Sequence, residues 1–506
     1  MADLIFVALL AVLLFTPLSV KLLGDAGIGW HIRTGQLIVA DRAVPRVDPF
    51  SSEIGQSWFA WEWLYDLGVG KLEAWWGLNG VVWLTAVVIA AVFAWTFRLL
   101  IVRDTNLFVG LVLTLLAISA STIHFLARPH VLSWLFTLAW FWILDSTERN
   151  GFAERASPGS RWLWLVPVLM LAWVNVHGGF VLGFVLLGIF WLGSLWSWLT
   201  LKQLRIEESL EKVRAGRRTR DLTLVGLASL AASFVNPYGG KLHTHIYSYL
   251  TNRFMMDHID EFQSPNFHGV AEKCFLVSLL LSLAILMVRG RKLRLSGALL
   301  VLFSVYAALY ASRNIPVSSI LLVLIVGPLV SGLKTSGFAE RMTVIDSELR
   351  GHLWTAVAAV ATLMIAANGG RVGSSQWMDA HFDPGRMPVD AVTFLQQQDI
   401  RSPIFTPDYW GGYLIYRLYP HNQVVVDDRH DFYGENFLRS YRTALHLEPG
   451  WETFLRGKDC LLLPRRSALA SILLKMPEWK TLYSDDLAIV FVPAPEMAEA
   501  DRAPGH

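Results

Sequence analysis

The chain has 506 residues, 54% of them hydrophobic and only 17% charged. Length alone suggests three or four domains of about 150 residues, but soluble domains carry roughly 25% charged residues, so the composition excludes a string of water-exposed globules. With 43 Lys/Arg against 41 Asp/Glu, a net charge of +2 and its basic residues in short loops between apolar runs, the chain also argues against a nucleic-acid partner.

The charge deficit is uneven. Residues 371–506 hold 14 Lys/Arg and 18 Asp/Glu, whereas the first 370 residues hold 29 and 23. The sequence therefore divides into a transmembrane domain over 1–370, which includes a long loop at 24–77, and a soluble domain over 371–506. Near the N-terminus, IFVALLAVLLFTPLSV has no basic stretch before it and no small-residue cleavage site, as expected of a retained anchor rather than a signal peptide. Two cysteines, Cys274 and Cys460, are too few for a disulfide framework.

Apolar runs of roughly 17–25 residues suffice to cross a bilayer core as helices. Eleven such runs, some shortened by polar ends, fall near 4–23, 78–102, 107–126, 130–146, 162–176, 179–199, 222–236, 273–288, 295–312, 315–333 and 353–369. The expected fold is an α-helical polytopic membrane protein of about 11 transmembrane helices.

Basic residues of short loops set its orientation. LKQLRIEESLEKVRAGRRTRD, with Lys202, Arg205, Lys212, Arg214, Arg217, Arg218 and Arg220, and the group Arg289, Arg291, Lys292 and Arg294 flank two successive spans. Both belong on the cytoplasmic side. Alternating outward places Arg103, the 148–161 loop and the 334–350 loop there too, with the N-terminus inside and the tail outside. The outer face then collects chemically varied groups, as a functional site requires: Asp25 to Glu73, Arg128, His130, Asn175, His177, residues 236–268, Arg313 and Asn314.

The 24–77 loop is too long for a mere connection. GWHIRTGQLIVADRAVP and SWFAWEWLYDLGVGKLEAWWG mix aromatic and polar residues at helical spacing, which suits two helices lying in the membrane interface. Between and beside them stand Asp25, Asp48 and Glu62. Each is a candidate base or metal ligand at the membrane surface; each also reads as a helix-end charge, a turn residue before proline and a solvated face, respectively. Arg128 in FLARPHVL and Arg313 in YASRNIP end apolar runs, where a guanidinium binds phosphate bidentately or reaches to lipid headgroups. His177 in WVNVHGGF faces either a cavity or a turn. His243 and His245, two apart, lack the spacing of a helical zinc pair, and no metal is assigned.

The tail alternates short apolar runs, PIFTP, QVVVDD and CLLLP, with helical segments PVDAVTFLQQQ and ENFLRSYRTAL, and ends in WKTLY and LAIVFVP. A small α/β domain with a late hairpin follows. Asp427-Asp428-Arg429-His430-Asp431 ends one of its strands, either as a solvated turn or where α/β sheets commonly place ligands. No P-loop, Rossmann fingerprint or nucleophile elbow is present.

These segments resemble a known group. GDAGIGWHIRTGQLIVADRAVPRVDPFS, WFAWEWL, ARPH, WVNVHGGFVLG, NPYGG, IDEFQSPNF, RNIP and WGGYLIYRLYP with VVVDDRHDFYG are similar to successive signatures of a bacterial GT-C superfamily group of membrane glycosyltransferases, related to mannosyl- and galacturonosyltransferase-like proteins. The resemblance covers nearly the whole chain. It implies a multi-pass enzyme of the bacterial inner membrane that takes a sugar from a polyprenyl-phosphate donor, among membrane lipids, and passes it to an extracytoplasmic lipid, glycan or protein. Asp25 would be the catalytic base; Arg128 and Arg313 would hold the phosphate; His31, Asp48, Glu62 and His177 would shape the pocket. Many members carry paired acids at the start of this loop, whereas Ala26 and Gly27 follow Asp25 here. No cofactor is therefore assigned, a divalent cation staying open. Two other functions fit the same chain: a non-catalytic scaffold that binds a lipid-linked glycan or a partner protein, and a transporter, which the scarcity of mid-membrane charge and lack of an inverted repeat disfavour.

Overall fold

The computed structural model describes residues 1–52, 56–150, 162–201, 206–331, 337, 352–398 and 400–494. The chain forms two compact units. One comprises Met1–Thr16, Trp83–Phe125 and Pro129–Met364, the other Pro17–Val82, Leu126–Arg128 and Ile365–His506.

The first unit is helical. Among the described residues, five helical segments are long and apolar enough to cross a membrane, namely Trp63–Val102, whose first half belongs to the second unit, Leu107–His124, Gly178–Thr200, Val270–Arg289 and Ser312–Val330, and the shorter Ala2–Phe15, Leu295–Tyr310 and Leu353–Ala367 are also apolar. Each of the eleven apolar runs contains a helix. Local sequence explains their ends. Asn106 caps Leu107–Ser121 by accepting from the Phe108 and Val109 amides, Pro316 stands in the first turn of Ile315–Val326, where it lacks no needed donor, and Gly77, at φ 62°, breaks Trp63–Val102 just before the expected span. Val270–Arg289 buries Ala271, Phe275, Ser278 and Ser282 while exposing Val277, Leu280 and Leu283. Small residues inward and branched aliphatics outward are the pattern of a helix bathed in lipid.

The basic segment after residue 201 departs from expectation. Lys212 to Arg220 lie within the helix Ile206–Ser233 rather than in a loop, because EESLEKVRAGRR is rich in helix formers. Arg218 is buried, with its Nε donating to Ser194 Oγ at 2.8 Å and Nη1 to the Glu148 carbonyl at 3.3 Å, so not every charge assigned to the cytoplasmic side is a solvated one. Arg103 pairs with Asp145. Lys202, Arg205 and most of the 148–161 and 334–350 loops lie outside the described residues.

The second unit draws on three stretches of chain. The division at residue 370 put the 24–77 loop with the spans, whereas Pro17–Val82 packs with the tail. Helix Ile28–Asp41 forms where a helix was expected, but its polar side is not left to an interface: His31 and Thr34 are buried, and Arg33 donates to the Tyr416 carbonyl. Glycine makes this packing possible. A side chain at Gly29 would strike the Gly412 carbonyl, one at Gly412 the Ala26 carbonyl, and one at Gly35 the Asp66 carbonyl. Helix Ile28–Asp41 thus meets Asp408–Leu418 and the stretch beginning at Trp63 backbone to backbone. Glu73 then joins them, accepting from Gln36 Nε2 at 2.7 Å and Tyr416 Oη at 2.9 Å.

Four of the tail's strands lie in the runs PIFTP, CLLLP, WKTLY and LAIVFVP, whereas QVVVDD forms only isolated bridges. Arg371–Val372 (β1) and Ser375–Gln376 (β2) form a small hairpin; Ile404–Phe405 (β3), Cys460–Pro464 (β4), Trp479–Ser484 (β5) and Ala488–Pro493 (β6) form a sheet in the order β3-β4-β6-β5. β3 and β4 are parallel and the other pairings antiparallel. Val424 extends this edge, bridged in parallel to both Ile404 and Ser51, so the 24–77 loop is stitched to the tail by main-chain hydrogen bonds. Gly29→Ala is expected to cost about 1–3 kcal/mol through overpacking, whereas Gly68→Ala, with open space at its Cβ position, should be neutral or slightly stabilising. Thermal unfolding of the detergent-purified protein distinguishes them.

Candidate functional site

Four acids, Asp25, Asp48, Asp427 and Asp428, and two arginines, Arg128 and Arg429, converge in the second unit. Val424 and Val425 run parallel to β3, with the Val425 amide donating to the Ile404 carbonyl at 2.9 Å, and the chain then delivers Asp427, Asp428 and Arg429 in succession. Asp427 and Arg429 point into the protein. Arg429 grips Asp427 with two arms, Nε to Oδ1 at 2.8 Å and Nη2 to Oδ2 at 2.6 Å, and reaches Asp48 Oδ1 with Nη1 at 2.6 Å. Tyr433 Oη donates to Asp427 at 2.8 Å, and Asp48 also accepts from the Ser51 amide at 2.8 Å. The guanidinium lies within cation–π range of Trp58 (4.7 Å), Phe432 (5.1 Å), Phe50 (5.3 Å) and Trp30 (5.9 Å).

All three charges are sealed, with 0–2% of each side chain exposed. Burial alone would lift the Asp48 carboxyl, yet the Arg429 charge and the Ser51 and Arg429 hydrogen bonds hold it below its ordinary value. Burial likewise disfavours the Arg429 cation, but Asp427 and Asp48 outweigh it and raise its pKa well above the usual. Asp48 is thus neither a pocket wall nor a simple turn residue.

Between those inward-facing neighbours Asp428 turns the other way. Its Oδ2 accepts from Arg128 Nη1 at 2.6 Å and its Oδ1 from the Trp30 indole at 3.0 Å. The same Arg128 nitrogen stands 3.6 Å from Asp25 Oδ1, and Asp25 accepts from the Gly27 amide at 2.8 Å. Arg128 belongs to this unit through a tether of three residues, held where the Ala127 amide donates to the Leu22 carbonyl at 2.7 Å. Gly27 is required here: a β-carbon would overlap both the Arg128 guanidinium and the Asp428 carboxylate. This trio is reachable from solvent, at 31% for Asp25, 22% for Arg128 and 16% for Asp428. Burial pushes the Asp428 carboxyl up to about 6 against the pull of Arg128, with Asp25 and Asp427 adding to the rise.

His31 and Glu62 lie deeper. His31 Nδ1 is 2.6 Å from Asp66 Oδ1 and its Nε2 is 3.8 Å from Glu62 Oε2; His31 and Asp66 are fully buried and Glu62 nearly so. His31 also packs on Trp30, ring to ring at 3.6 Å, supporting the indole that holds Asp428. The two remaining candidates belong to the first unit. His177 Nδ1 accepts from the Gly179 amide at 3.1 Å and bonds Ser133 Oγ at 2.7 Å, which in turn accepts from the Trp173 indole; Arg313 pairs with Glu261 at 3.2 Å and lies over Phe262.

The structure therefore brings together Asp25, Arg128, His31, Asp48 and Glu62 in one unit, and His177 and Arg313 in the other. Trp30 and Asp66 went unnoticed in the sequence, where one looked like an interface aromatic and the other like a solvated helix residue. Asp428 and Arg429 fell in a run that reads either as a solvated turn or as a ligand-placing strand end, without any signal of their partners. Among the described residues, no group of three or more His, Cys, Asp and Glu side chains is arranged to hold a metal ion.

Comparison with known proteins gives the fold. The chain matches no protein-family model and no curated protein. Among solved structures it is similar to the archaeal oligosaccharyltransferase AglB from Archaeoglobus fulgidus in complex with an inhibitory peptide and a dolichol-phosphate, at TM-score 0.54 and 10% identity over 98% of this chain and 74% of that one. The Archaeoglobus fulgidus oligosaccharyltransferase in its apo form gives 0.52 and 10% over 97% and 74%. ArnT from Cupriavidus metallidurans in the apo state gives 0.51 and 12% over 97% and 98%. The chain shares the overall fold of these structures.

Removing one member of a sealed ion pair leaves an uncompensated buried charge, at a cost of about 3–5 kcal/mol. Arg429→Met should lose that much, and Arg429→Lys nearly as much, because one ammonium cannot grip Asp427 with two arms and reach Asp48 as well. The Asp48 contribution has a defined pH sign: with its folded-state pKa depressed, it stabilises above about pH 4 and is lost as pH falls further. Denaturant titrations between pH 3 and 7 should show that acid limb weakened in Asp48→Asn.

Proposed function

We propose that the protein is a membrane glycosyltransferase that moves a sugar from a polyprenyl-phosphate donor to an extracytoplasmic acceptor, in a bacterial inner membrane with its N-terminus cytoplasmic and its tail outside. The observation that carries this reading is the Asp25–Arg128 pairing within a solvent-reachable cluster of a chain with the GT-C fold. Asp25 takes the proton of an acceptor hydroxyl, whose oxygen attacks the anomeric carbon of the donor sugar. The bond from that carbon to the phosphate oxygen breaks, its electron pair leaves with the polyprenyl phosphate, and the Arg128 guanidinium balances the charge that accumulates there. One carboxylate with no covalent intermediate is the requirement of an inverting transfer.

Arg313 and His177 belong to the first unit, where they are engaged with Glu261 and Ser133 respectively, and they have no part in this step. The test is turnover by purified protein in lipid nanodiscs with a panel of labelled polyprenyl-phosphate sugars. Asp25→Asn should lower transfer by at least about a hundredfold, the usual contribution of a positioned base, while the variant stays monodisperse and folded. Full activity in that variant would sink the assignment.

A further inference from the structure

Asp428 occupies on Arg128 the place that a phosphate would need. Its Oδ2 sits 2.6 Å from Nη1, the separation of a short charge-assisted bond, and a phosphate oxygen would demand the same direction and distance. We propose that Asp428 is an intramolecular competitor for the donor site, its carboxylate and the phosphate of a lipid-linked donor being alternative partners of Arg128. This rests on the reading of Arg128 as a phosphate ligand.

Two structural features fit Asp428 for exchange. Its other oxygen is held by the Trp30 indole at 3.0 Å, and its backbone neighbours Asp427 and Arg429 are locked into the sealed clamp, so the carboxylate can turn away from Arg128 without leaving the site. Asp25, at 3.6 Å, stays beside the guanidinium meanwhile. The charged and titratable groups that face Asp428 are Arg128, Asp25, Asp427 and His430. Arg128, at 2.6 Å, and protonated His430 favour its charged form, and the carboxyl lifted to about 6 takes up a proton more readily once Arg128 is engaged elsewhere.

The sequence around Asp25 leaves room for this contact. Asp25 is followed by Ala26 and Gly27 rather than by a second acid. The second carboxylate arrives from 403 residues further along the chain, and the bare Gly27 is what lets it and Arg128 meet.

The sign of the pH dependence follows. Below pH 6 Asp428 is largely neutral, competes weakly, and the phosphate binds well; above it the ionised carboxylate competes and binding weakens. The probe is the methyl phosphodiester of farnesol, whose single charge is constant between pH 5 and 8, titrated into full-length protein in nanodiscs with tryptophan fluorescence as readout. Wild type should bind about tenfold more weakly at pH 7.5 than at pH 5, as expected when protonation of one group near pH 6 is linked to binding. Asp428→Asn should bind more tightly than wild type at pH 7.5 and lose that dependence. Affinity of wild type that is flat with pH, or a folded Asp428→Asn that binds no tighter than wild type, overturns the proposal; the wild-type titration serves alone if the variant does not fold. Arg128→Gln separates the two levels: weakened binding there leaves the phosphate assignment standing whatever Asp428 does, and unchanged binding overturns that assignment and the competition with it.

Discussion

The second unit depends on one buried cation. Arg429 is enclosed by four aromatic rings and shares three hydrogen bonds with two carboxylates, one of them, Asp48, 381 residues away. Placing three charges out of water costs several kcal/mol per ion unless every donor and acceptor is matched. Here matching is nearly complete, and this makes the arrangement specific more than it makes it strong. Only one register of the segment 424–433 against the 24–77 loop satisfies it. The Ser51, Val424 and Ile404 backbone bridges lie along that same register.

What the clamp fixes is its neighbour. The Arg429 amide donates back to Asp427 Oδ1 at 2.9 Å, turning the chain at Asp428, so that with Asp427 and Arg429 locked inward Asp428 faces Arg128 and Asp25. Next in line, His430 bonds Asp408 at 2.8 Å, which keeps the start of helix His430–His446 against Asp408–Leu418. Rigid, dry support beneath a solvent-reachable trio is the arrangement that a site needs if its groups are to hold their geometry while ligands exchange. The two arginines differ in setting: Arg429 is sealed and structural, whereas Arg128 is reachable from solvent and paired with Asp428 and Asp25.

Much of the fold was legible in the sequence because it is written in short-range pattern. Apolar runs of the right length, and the CLLLP and LAIVFVP runs that became β4 and β6, are all read over fewer than thirty residues. Asp25, Asp48 and Arg128 stood out singly for the same reason, since each interrupts an apolar or turn-forming context. Their partners did not. The Arg128–Asp428 and Trp30–Asp428 contacts span 300 and 398 residues, and nothing local distinguishes an acid that will meet an arginine from one that will meet water. The interfacial reading of helix Ile28–Asp41 failed on this point, because burial against the tail and against a lipid surface leave the same amphipathic signature. Only the glycines at 27, 29, 35 and 412 hinted otherwise, each marking a place where another atom comes too close for a side chain.

The decisive measurement is a cryo-electron-microscopy structure of the protein in nanodiscs with a polyprenyl phosphate bound. The expected result is phosphate density on the Arg128 guanidinium, beside Asp25, with the Asp428 carboxylate turned off Nη1 and the Arg429 clamp unchanged. Phosphate held elsewhere with the Arg128–Asp428 pair intact would contradict the assignment of this unit as the donor site.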